Sequence, residues 1–265
     1  MAVDALERWR RAVAAWNASG GPRVRREARP ADAETAVPPG SRSFAREREA
    51  LPDQGTVLDV GCGSGGASLP LAGHAGLIVG LDREEHLLAA LRRNAESVGV
   101  PVRTVRGSWP EAEAPPADLV VCHHVLYGAA DLAPFAAALT GHARLRVVIE
   151  IPERHPQHAL SPLWERFHGV VRPAPPTAAD AAEALRAAGV HPQVETWVDE
   201  QGWGGYPDLA ALADRVRRRL DLPPERTDEV TAALLELGVD PRPPGGRVAF
   251  PGTIGRTLVT IWWDR

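Results

Sequence analysis

One stretch of the chain decides the fold: Val57–Gly66, which reads VLDVGCGSGG. Its first four residues form a short, mostly apolar run typical of a buried strand, and four of the next six residues are glycine. Because glycine lacks a Cβ atom, such a turn lets the backbone approach a ligand closely and adopt positive φ angles. The stretch therefore predicts a strand, a ligand-binding turn and then a helical stretch.

From Leu51 onward, short apolar runs alternate with longer helical stretches, which predicts an α/β fold with a parallel sheet covered by helices. Strands are predicted at 56–60, 77–81, 102–106, 118–122, 145–151, 193–199 and 257–263. Helices are predicted at 1–18, 84–98, 131–143, 162–168, 207–220 and 224–237, and a capping box of Thr177 and Asp180 predicts another that ends near Gly189.

The chain is expected to divide into two parts. Residues 1–50 are predicted to form an N-terminal helix and a loop, interpreted as a lid, and residues 51–265 the main domain. A helical insertion at 201–245 is interpreted either as a cap over the site or as a dimer surface or plain core packing. The arginine patch Arg23–Arg29 is interpreted as a solvated segment, with RNA binding as the alternative.

The composition excludes several classes of protein. Of the 265 residues, 44% are hydrophobic and 24% charged, which indicates a globular chain rather than a disordered one. The formal net charge of -4 gives no general attraction to nucleic acid or anionic lipid. The sequence has two cysteines and no long apolar segment, so we expect no disulfide framework, no metal site, no membrane span and a cytoplasmic location.

Two acidic residues bear on the ligand. Asp82 ends a predicted strand about 20 residues beyond Gly61, where a carboxylate can accept from both hydroxyls of a ribose; its alternative role is to cap the next helix. Asp59 lies two positions before the first glycine, where a negative charge suits a cationic ligand. Its alternative role is to accept from backbone donors of the turn.

Two nucleoside cofactors are compatible with a glycine turn of this kind, a nicotinamide dinucleotide and S-adenosylmethionine, and the glycines and Asp59 do not support them equally. Gly61, Gly63 and Gly66 satisfy the dinucleotide pattern G-x-G-x-x-G, so the glycine turn alone leaves a nicotinamide dinucleotide open. S-adenosylmethionine carries a ribose, a sulfonium and an ammonium, and no phosphate. Asp59 therefore favours S-adenosylmethionine.

The stretch Val57–Gly65 resembles the first motif of class I S-adenosylmethionine-dependent methyltransferases, and the resemblance continues through Asp82, Arg106–Trp109 and Ala117–Leu126. It covers residues 50–200 of the chain. The resemblance implies a Rossmann-like, doubly wound sheet of seven strands with an antiparallel last strand. It also implies S-adenosyl-L-methionine as cofactor and S-adenosyl-L-homocysteine as product.

The resemblance further implies that Gly61, Gly63, Gly65, Asp82, Ser108, Trp109 and His123 bind the cofactor; we expect Cys62 of the same turn and Asp59, for its charge, to bind it as well. Asp82 would hold the ribose, and the residues after the third strand would flank the adenine. Many members have an aspartate in that turn, whereas this chain has Ser108 followed by Trp109. Trp109 is interpreted either as a stacking partner of the base or as ordinary core.

Two histidines, His123 and His124, follow the fourth strand at the carboxyl edge of the sheet, where doubly wound folds build their sites. A general base accelerates methyl transfer to an acceptor that has a proton to lose, and His124 is the candidate for this catalytic role. The alternative for each ring is a structural imidazole. Glu150, His155 and His158 are reserve candidates.

The acceptor is constrained mainly by a motif that is missing. Where amino-directed nucleic-acid methyltransferases have Asn/Asp-Pro-Pro-aromatic, this chain has Cys122–Val125, which reads CHHV. The sequence therefore predicts methyl transfer to a small-molecule acceptor by direct displacement. The open alternatives are a catalytically silent cofactor-binding relative, an RNA methyltransferase and a nicotinamide-dependent oxidoreductase; a homodimer is also open.

Overall fold

The computed structural model describes residues 2–20, 28–29, 36–38, 40–200, 205–251 and 255–265, and this part of the chain has seven strands and eight α-helices. The strands are β1 (Gly55–Val60), β2 (Ala75–Asp82), β3 (Val102–Arg106), β4 (Ala117–His123), β5 (Ala143–Pro152), β6 (Gln193–Asp199) and β7 (Arg256–Asp264). The helices are α1 (Ala2–Ala18), α2 (Arg42–Ala50), α3 (Glu85–Ser97), α4 (Leu132–His142), α5 (Ser161–His168), α6 (Ala178–Ala187), α7 (Leu209–Arg219) and α8 (Thr227–Glu236). None of the described helices combines the length and the apolar character that crossing a bilayer requires.

The seven strands form one sheet in the order β3-β2-β1-β4-β5-β7-β6. Strands β1 to β5 are parallel, whereas β7 runs antiparallel to both β5 and β6. This confirms the predicted doubly wound sheet with an antiparallel last strand. The strand order reverses between β1 and β4, and such a switch point opens a crevice at the carboxyl ends of the strands.

Alternate residues of each strand enter two hydrophobic cores, one on each face of the sheet. Leu58 and Val120 lie in the core that α1, α4 and α6 cover, while Val57 and Val121 lie in the core that α2 and α3 cover. Whether a residue occupies an odd or an even position in its strand therefore decides which face its side chain reaches. At the carboxyl edge, this alternation selects the side chains that meet beneath α2.

Two insertions at the carboxyl edge form a separate helical unit, called the cap below. Helix α5 lies between β5 and α6, helices α7 and α8 lie between β6 and β7, and buried residues of all three share one apolar cluster. An antiparallel bridge between Tyr206 and Val248 closes the base of the second insertion. The insertion predicted at 201–245 therefore packs together with the short helix predicted before it; residues 201–204 lie outside the described part.

Two local predictions differ from the structure. The stretch expected to be helical after the glycine turn forms turns at 61–68 and a single 3-10 turn at Leu69–Leu71. Glycine is a poor helix former, and Pro70 has no N–H to continue a helical ladder. In contrast, the sequence pattern does not predict α2, whose surface is mostly charged although Ser43 and Glu47 are buried.

The glycine turn makes a close approach to the start of the segment after β4. Gly61 has a φ of +76°, and a Cβ atom there would lie 2.4 Å from Cγ2 of Val125. We expect Gly61→Ala to lower the free energy of unfolding by about 1–3 kcal/mol, because it combines backbone strain with a clash. The control is Gly141→Ala in α4, where nothing lies within 4 Å and the change should stabilise by about 0.5–1 kcal/mol. Denaturant unfolding measures both, and equal values would contradict the close approach.

Candidate active site

Three polar side chains at the carboxyl edge point to the face of the sheet that α2 covers. Asp59 on β1, His123 on β4 and Glu150 on β5 each lie two positions beyond an apolar residue of the core under α2, so strand alternation carries them to the same face. His123 and Glu150 are direct neighbours in the register of β4 and β5. The sheet alone therefore brings a histidine and two carboxylates to one edge.

Helix α2 places a third carboxylate over this edge. Glu47 is 1% exposed, and its Oε1 lies 2.7 Å from Nε2 of His123. On the other side of the ring, Nδ1 of His123 lies 4.0 Å from Oε1 of Glu150. Burial acts to lower the pKa of His123, but the flanking carboxylates outweigh it and raise this pKa to about 9. His123 is therefore an imidazolium at neutral pH, held between two carboxylates.

The carboxylates themselves respond to this arrangement in different ways. Burial raises the pKa of Glu47, and the charge of His123 opposes that effect. Burial acts in the same direction on Glu150, but the charge of His123 and the hydrogen bond of His124 lower the pKa of Glu150 to about 2. Helix α2 is held in place above them by a 2.7 Å hydrogen bond between the hydroxyls of Ser43 and Thr260.

His124 leaves the strand in a left-handed conformation, with a φ of +59° that costs a non-glycine residue about 1–3 kcal/mol. Its backbone N–H donates to the carbonyl of Glu150 at 2.7 Å, and its Nε2 lies 3.3 Å from Oε1 of Glu150. The His124 side chain is 30% exposed, against 14% for His123.

The surroundings of His124 fix its charge and its tautomer. Desolvation lowers the pKa of His124, and the charges of Arg256 and His123 act in the same direction; together they outweigh the raising effect of Glu150, so the ring is neutral at pH 7. The contact with Glu150 assigns the hydrogen to Nε2 and makes Nδ1 the basic atom. The edge thus carries one charged, buried imidazole and one neutral, accessible imidazole.

Asp59 is 1% exposed, and its Oδ2 accepts a 2.6 Å hydrogen bond from the hydroxyl of Ser68. This bond ties the segment after the glycine turn to β1. Burial raises the pKa of Asp59 to about 7, although the hydrogen bond from Ser68 and the charge of His123 oppose it. Because Asp59, Glu47 and Glu150 are three buried carboxyl groups around one imidazolium, this edge is an environment that favours an added positive charge.

Asp82 joins the end of β2 to the glycine turn. Its Oδ2 accepts from the N–H of Gly63 at 3.0 Å, and its Oδ1 accepts from the N–H of Glu84 at 3.1 Å in the turn before α3. The N–H of Cys62 donates to the carbonyl of Leu81 at 3.0 Å. The amides of Cys62 and Gly63 are thus engaged by protein acceptors, and no α-helix begins within the fully described segment 61–74. A pyrophosphate site of the dinucleotide type uses a helix N-terminus, which this turn does not present.

The turn after β3 holds two residues predicted to flank the adenine. Ser108 is exposed. Trp109 donates from Nε1 to the carbonyl of Phe135 at 3.3 Å and meets the ring of His142 edge-on, with centroids 4.9 Å apart. Both partners belong to α4, so these are the contacts of a core residue. A stacking role for Trp109 stays a prediction.

The reserve histidines lie apart from the His123 cluster. The ring of His155 contacts Trp16 and Tyr127, with centroids 4.9 Å and 5.3 Å apart. Burial and the charge of Arg172 lower the pKa of His155 to about 3, so this ring is neutral. Nδ1 of His158 lies 3.0 Å from the carbonyl of His155. Glu150 is the one reserve candidate that the fold brings into contact with His124.

The N-terminal segment reaches the glycine turn. The N–H of Arg29 donates to Oγ of Ser64 at 3.0 Å, and Asn94 of α3 donates to the carbonyls of both residues at 2.9 Å and 3.1 Å. Of the arginine patch, residues 23–27 lie outside the described part of the chain. The lid interpretation of residues 1–50 stays a prediction.

Sequence reasoning missed Glu47. The signal for its helix was present, because Ser41 caps α2 by accepting from the N–H of Phe44, and Ser43 and Glu47 are four residues apart on one helix face. A mostly charged helix of nine residues does not otherwise show which of its carboxylates is buried.

Comparison with known proteins adds a family and several relatives. Residues 57–145 match the family described as Methyltransferase domain. The ubiquinone biosynthesis O-methyltransferase of Hahella chejuensis is 40% identical over 98 residues, which are 36% of this chain and 41% of that protein. A probable cobalt-precorrin-6B C(15)-methyltransferase (decarboxylating) of Pyrobaculum calidifontis is 40% identical over 84 residues, 29% of this chain and 43% of that protein. The matches thus span less than half the length of these curated relatives.

The fold is similar to several solved structures. The YcgJ protein of Bacillus subtilis has a TM-score of 0.56 at 15% identity, covering 84% of this chain and 97% of that one. A putative methyltransferase of Bacillus halodurans has a TM-score of 0.51 at 16% identity, covering 85% and 99%. The magnesium protoporphyrin IX methyltransferase of Synechocystis, solved with bound S-adenosylhomocysteine, has a TM-score of 0.50 at 19% identity, covering 73% and 86%. At these identities the similarities show the fold.

The buried pair of Glu47 and His123 makes a stability prediction. We expect Glu47→Ala to lower the free energy of unfolding at pH 7 by about 3 kcal/mol, because it leaves a buried imidazolium without its nearest counter-charge. The control is Glu49→Ala on the same helix, whose carboxylate is 54% exposed and should cost about 0–1 kcal/mol. Urea unfolding compares the two variants. If both cost the same, the pair does not hold α2 on the sheet.

Proposed function

Because residues 57–145 belong to the class I S-adenosylmethionine-dependent methyltransferase family, we propose that the protein transfers a methyl group from S-adenosyl-L-methionine to a hydroxyl oxygen of a small-molecule acceptor. The observation that carries the proposal is the neutral, partly exposed imidazole of His124, held by the buried carboxylate of Glu150 at the switch edge of the sheet. Such a dyad is useful only for an acceptor that must lose a proton.

The residues at this edge fit the cofactor on three grounds. Gly61 and Gly65 of the turn hold φ angles of +76° and +114°, which glycine adopts without strain, so the backbone can follow this tight path. Asp82 lies beside the turn, and a carboxylate offers about four acceptor positions, enough to bind ribose hydroxyls as well as the two amides. Burial raises the pKa of Asp59 to about 7, and a sulfonium or an ammonium placed beside it would favour its ionised form.

The chain's own residues then have distinct tasks in the reaction. S-adenosylmethionine supplies a methyl group on a sulfonium that is already a good leaving group. Nδ1 of His124 accepts the proton of the acceptor hydroxyl as its oxygen becomes the nucleophile, and Glu150 stabilises the imidazolium that forms. His123 and Glu47 keep Glu150 ionised and the edge rigid. Positioning of this kind can contribute about 7–11 kcal/mol, and a general base a further factor of about 10²–10⁴.

The relatives support a small-molecule acceptor, since those named are a ubiquinone biosynthesis O-methyltransferase and a probable cobalt-precorrin-6B C(15)-methyltransferase. The chemistry of the edge argues against the nicotinamide alternative, because a pyrophosphate would meet the carboxylates of Asp59 and Asp82 and find no helix N-terminus. For the RNA alternative the net charge of -4 gives no support.

Binding of the product tests the cofactor assignment. We expect calorimetric titration to show binding of S-adenosylhomocysteine and none of NAD(H) or NADP(H). Asp82→Ala should weaken that binding by about 1–3 kcal/mol, because it removes the acceptor of the ribose hydroxyls. The control is Asp53→Ala, in the exposed turn before β1. Binding of a nicotinamide dinucleotide, or equal affinities for the two variants, would contradict the assignment.

Replacement of His124 tests the base. Once screening of tritiated methyl incorporation across fractionated metabolites has supplied an acceptor, we expect His124→Gln to lower kcat by about 10²–10⁴ and to leave the affinity for S-adenosylhomocysteine unchanged. The wild-type rate should rise with pH as His124 loses its proton, with the midpoint below the ordinary imidazole pKa because the pKa of His124 is lowered, and the variant should lose that rise. The exposed His191→Gln is the control. An unchanged kcat would mean that positioning alone carries the reaction.

A further inference from the structure

A buried arginine lies where the cap meets the main domain. Arg172, in the segment between α5 and α6, is 8% exposed. Its Cζ lies 3.8 Å from the ring centroid of Trp16 on α1 and 5.7 Å from that of Trp164 on α5. The guanidinium is thus enclosed by two aromatic side chains from two different elements.

This cluster has more hydrogen-bond donors than acceptors. A guanidinium carries five N–H groups, yet the described residues offer Arg172 two neutral oxygens, Oγ of Ser19 at 3.4 Å and the carbonyl of Gln157 at 3.5 Å. Nε1 of Trp16 is buried without a hydrogen-bond partner in the same described part. Both contacts of Arg172 are at the long limit of a hydrogen bond, so the cluster lacks a strong acceptor.

The described residues also place no carboxylate on Arg172. Burial lowers its pKa, and no acidic group acts against that effect. Arg256, at the same edge of the sheet, is a buried arginine that does have a counter-charge: its side chain is 14% exposed, and its Nε lies 3.2 Å from Oδ2 of Asp199. A buried cation without a counter-charge is costly, and cation–π contacts offset only part of the cost.

Ring contacts connect Arg172 to the candidate base. Tyr127 lies three residues beyond His124, and its hydroxyl donates to the carbonyl of Pro152 at the end of β5 at 2.7 Å. The ring of Tyr127 contacts His155, and His155 contacts Trp16, which stacks on Arg172. His155 is neutral and supplies no negative charge. Tyr127 follows β4 and His155 follows β5, so the donors belong to a cluster of rings beyond the carboxyl ends of these two strands.

We propose that Arg172 and the indole N–H of Trp16 bind a carboxylate of the methyl acceptor, so that the acceptor is a hydroxy acid whose hydroxyl lies at His124. The assignment rests on the proposed methyltransferase function. A carboxylate suits this site because its two oxygens accept in parallel from the planar guanidinium fork. The methionyl part of the cofactor also carries a carboxylate. The titrations with Arg172→Met distinguish a carboxylate of the acceptor from that of the cofactor.

The test uses the full chain saturated with S-adenosylhomocysteine. A panel of hydroxybenzoic, hydroxycinnamic and aliphatic hydroxy acids is titrated by calorimetry, each acid beside its neutral primary amide. We expect at least one acid to bind about tenfold or more tightly than its amide, and Arg172→Met to remove that preference. Affinity for S-adenosylhomocysteine should stay within twofold of wild type, since the site belongs to the acceptor.

The outcomes separate this inference from the proposed function. If the wild-type chain does not bind S-adenosylhomocysteine, the proposed function is overturned. The preference for acid over amide can still be measured in that case, in the absence of S-adenosylhomocysteine. An acid preference that Arg172→Met leaves intact, or the absence of any preference across the panel, overturns the inference. A selective loss of S-adenosylhomocysteine affinity in Arg172→Met would assign the arginine to the cofactor and overturn it too. Trp16→Phe keeps the ring and removes the N–H, and it should reduce the preference even if Arg172→Met does not fold.

Discussion

The carboxyl edge of this sheet depends on an imidazolium that is buried between carboxylates. His123 has Glu47 on one side and Glu150 on the other, and each of the three is costly in isolation, because moving an ion out of water costs several kcal/mol that only close partners return. Removing any one would leave the others uncompensated. This arrangement of charges therefore requires helix α2 to be packed on the sheet, and the contacts of Ser43 with Thr260 and of Glu47 with His123 fix its position there.

This constraint separates two adjacent histidines. Strand alternation sends His123 under α2, and the left-handed backbone of His124 turns the next ring back toward the same Glu150. Glu150 therefore stabilises the positive charge of His123 and also orients the neutral ring of His124. The three carboxyl groups around the edge form an environment in which a nearby sulfonium would relieve their repulsion and a pyrophosphate would add to it.

Much of the fold could be predicted from the sequence, because the apolar runs of the strands and the capping box of Thr177 and Asp180 are local signals. The positions of Asp59, Asp82 and His124 at the carboxyl edge also followed from their places at strand ends, while their roles in binding and catalysis stay predictions. The predictions failed where the signal is not local. Glu47 is one of several charges on a polar helix, and only the register of β4 and β5 beneath it shows why it is buried. The cap joins insertions from two distant parts of the chain, and Arg172 stands in a proline-rich stretch that shows no period.

The central claim is that the two histidines hold different charges at the same pH. Heteronuclear NMR of histidine-labelled protein, assigned with His123→Gln and His124→Gln, follows the ring nitrogens of each residue between pH 5 and pH 10. The account predicts that His123 stays protonated through pH 8 and titrates near pH 9, while His124 is neutral above about pH 6.5 with its hydrogen on Nε2. Two rings that titrate together near pH 6.5 would contradict it.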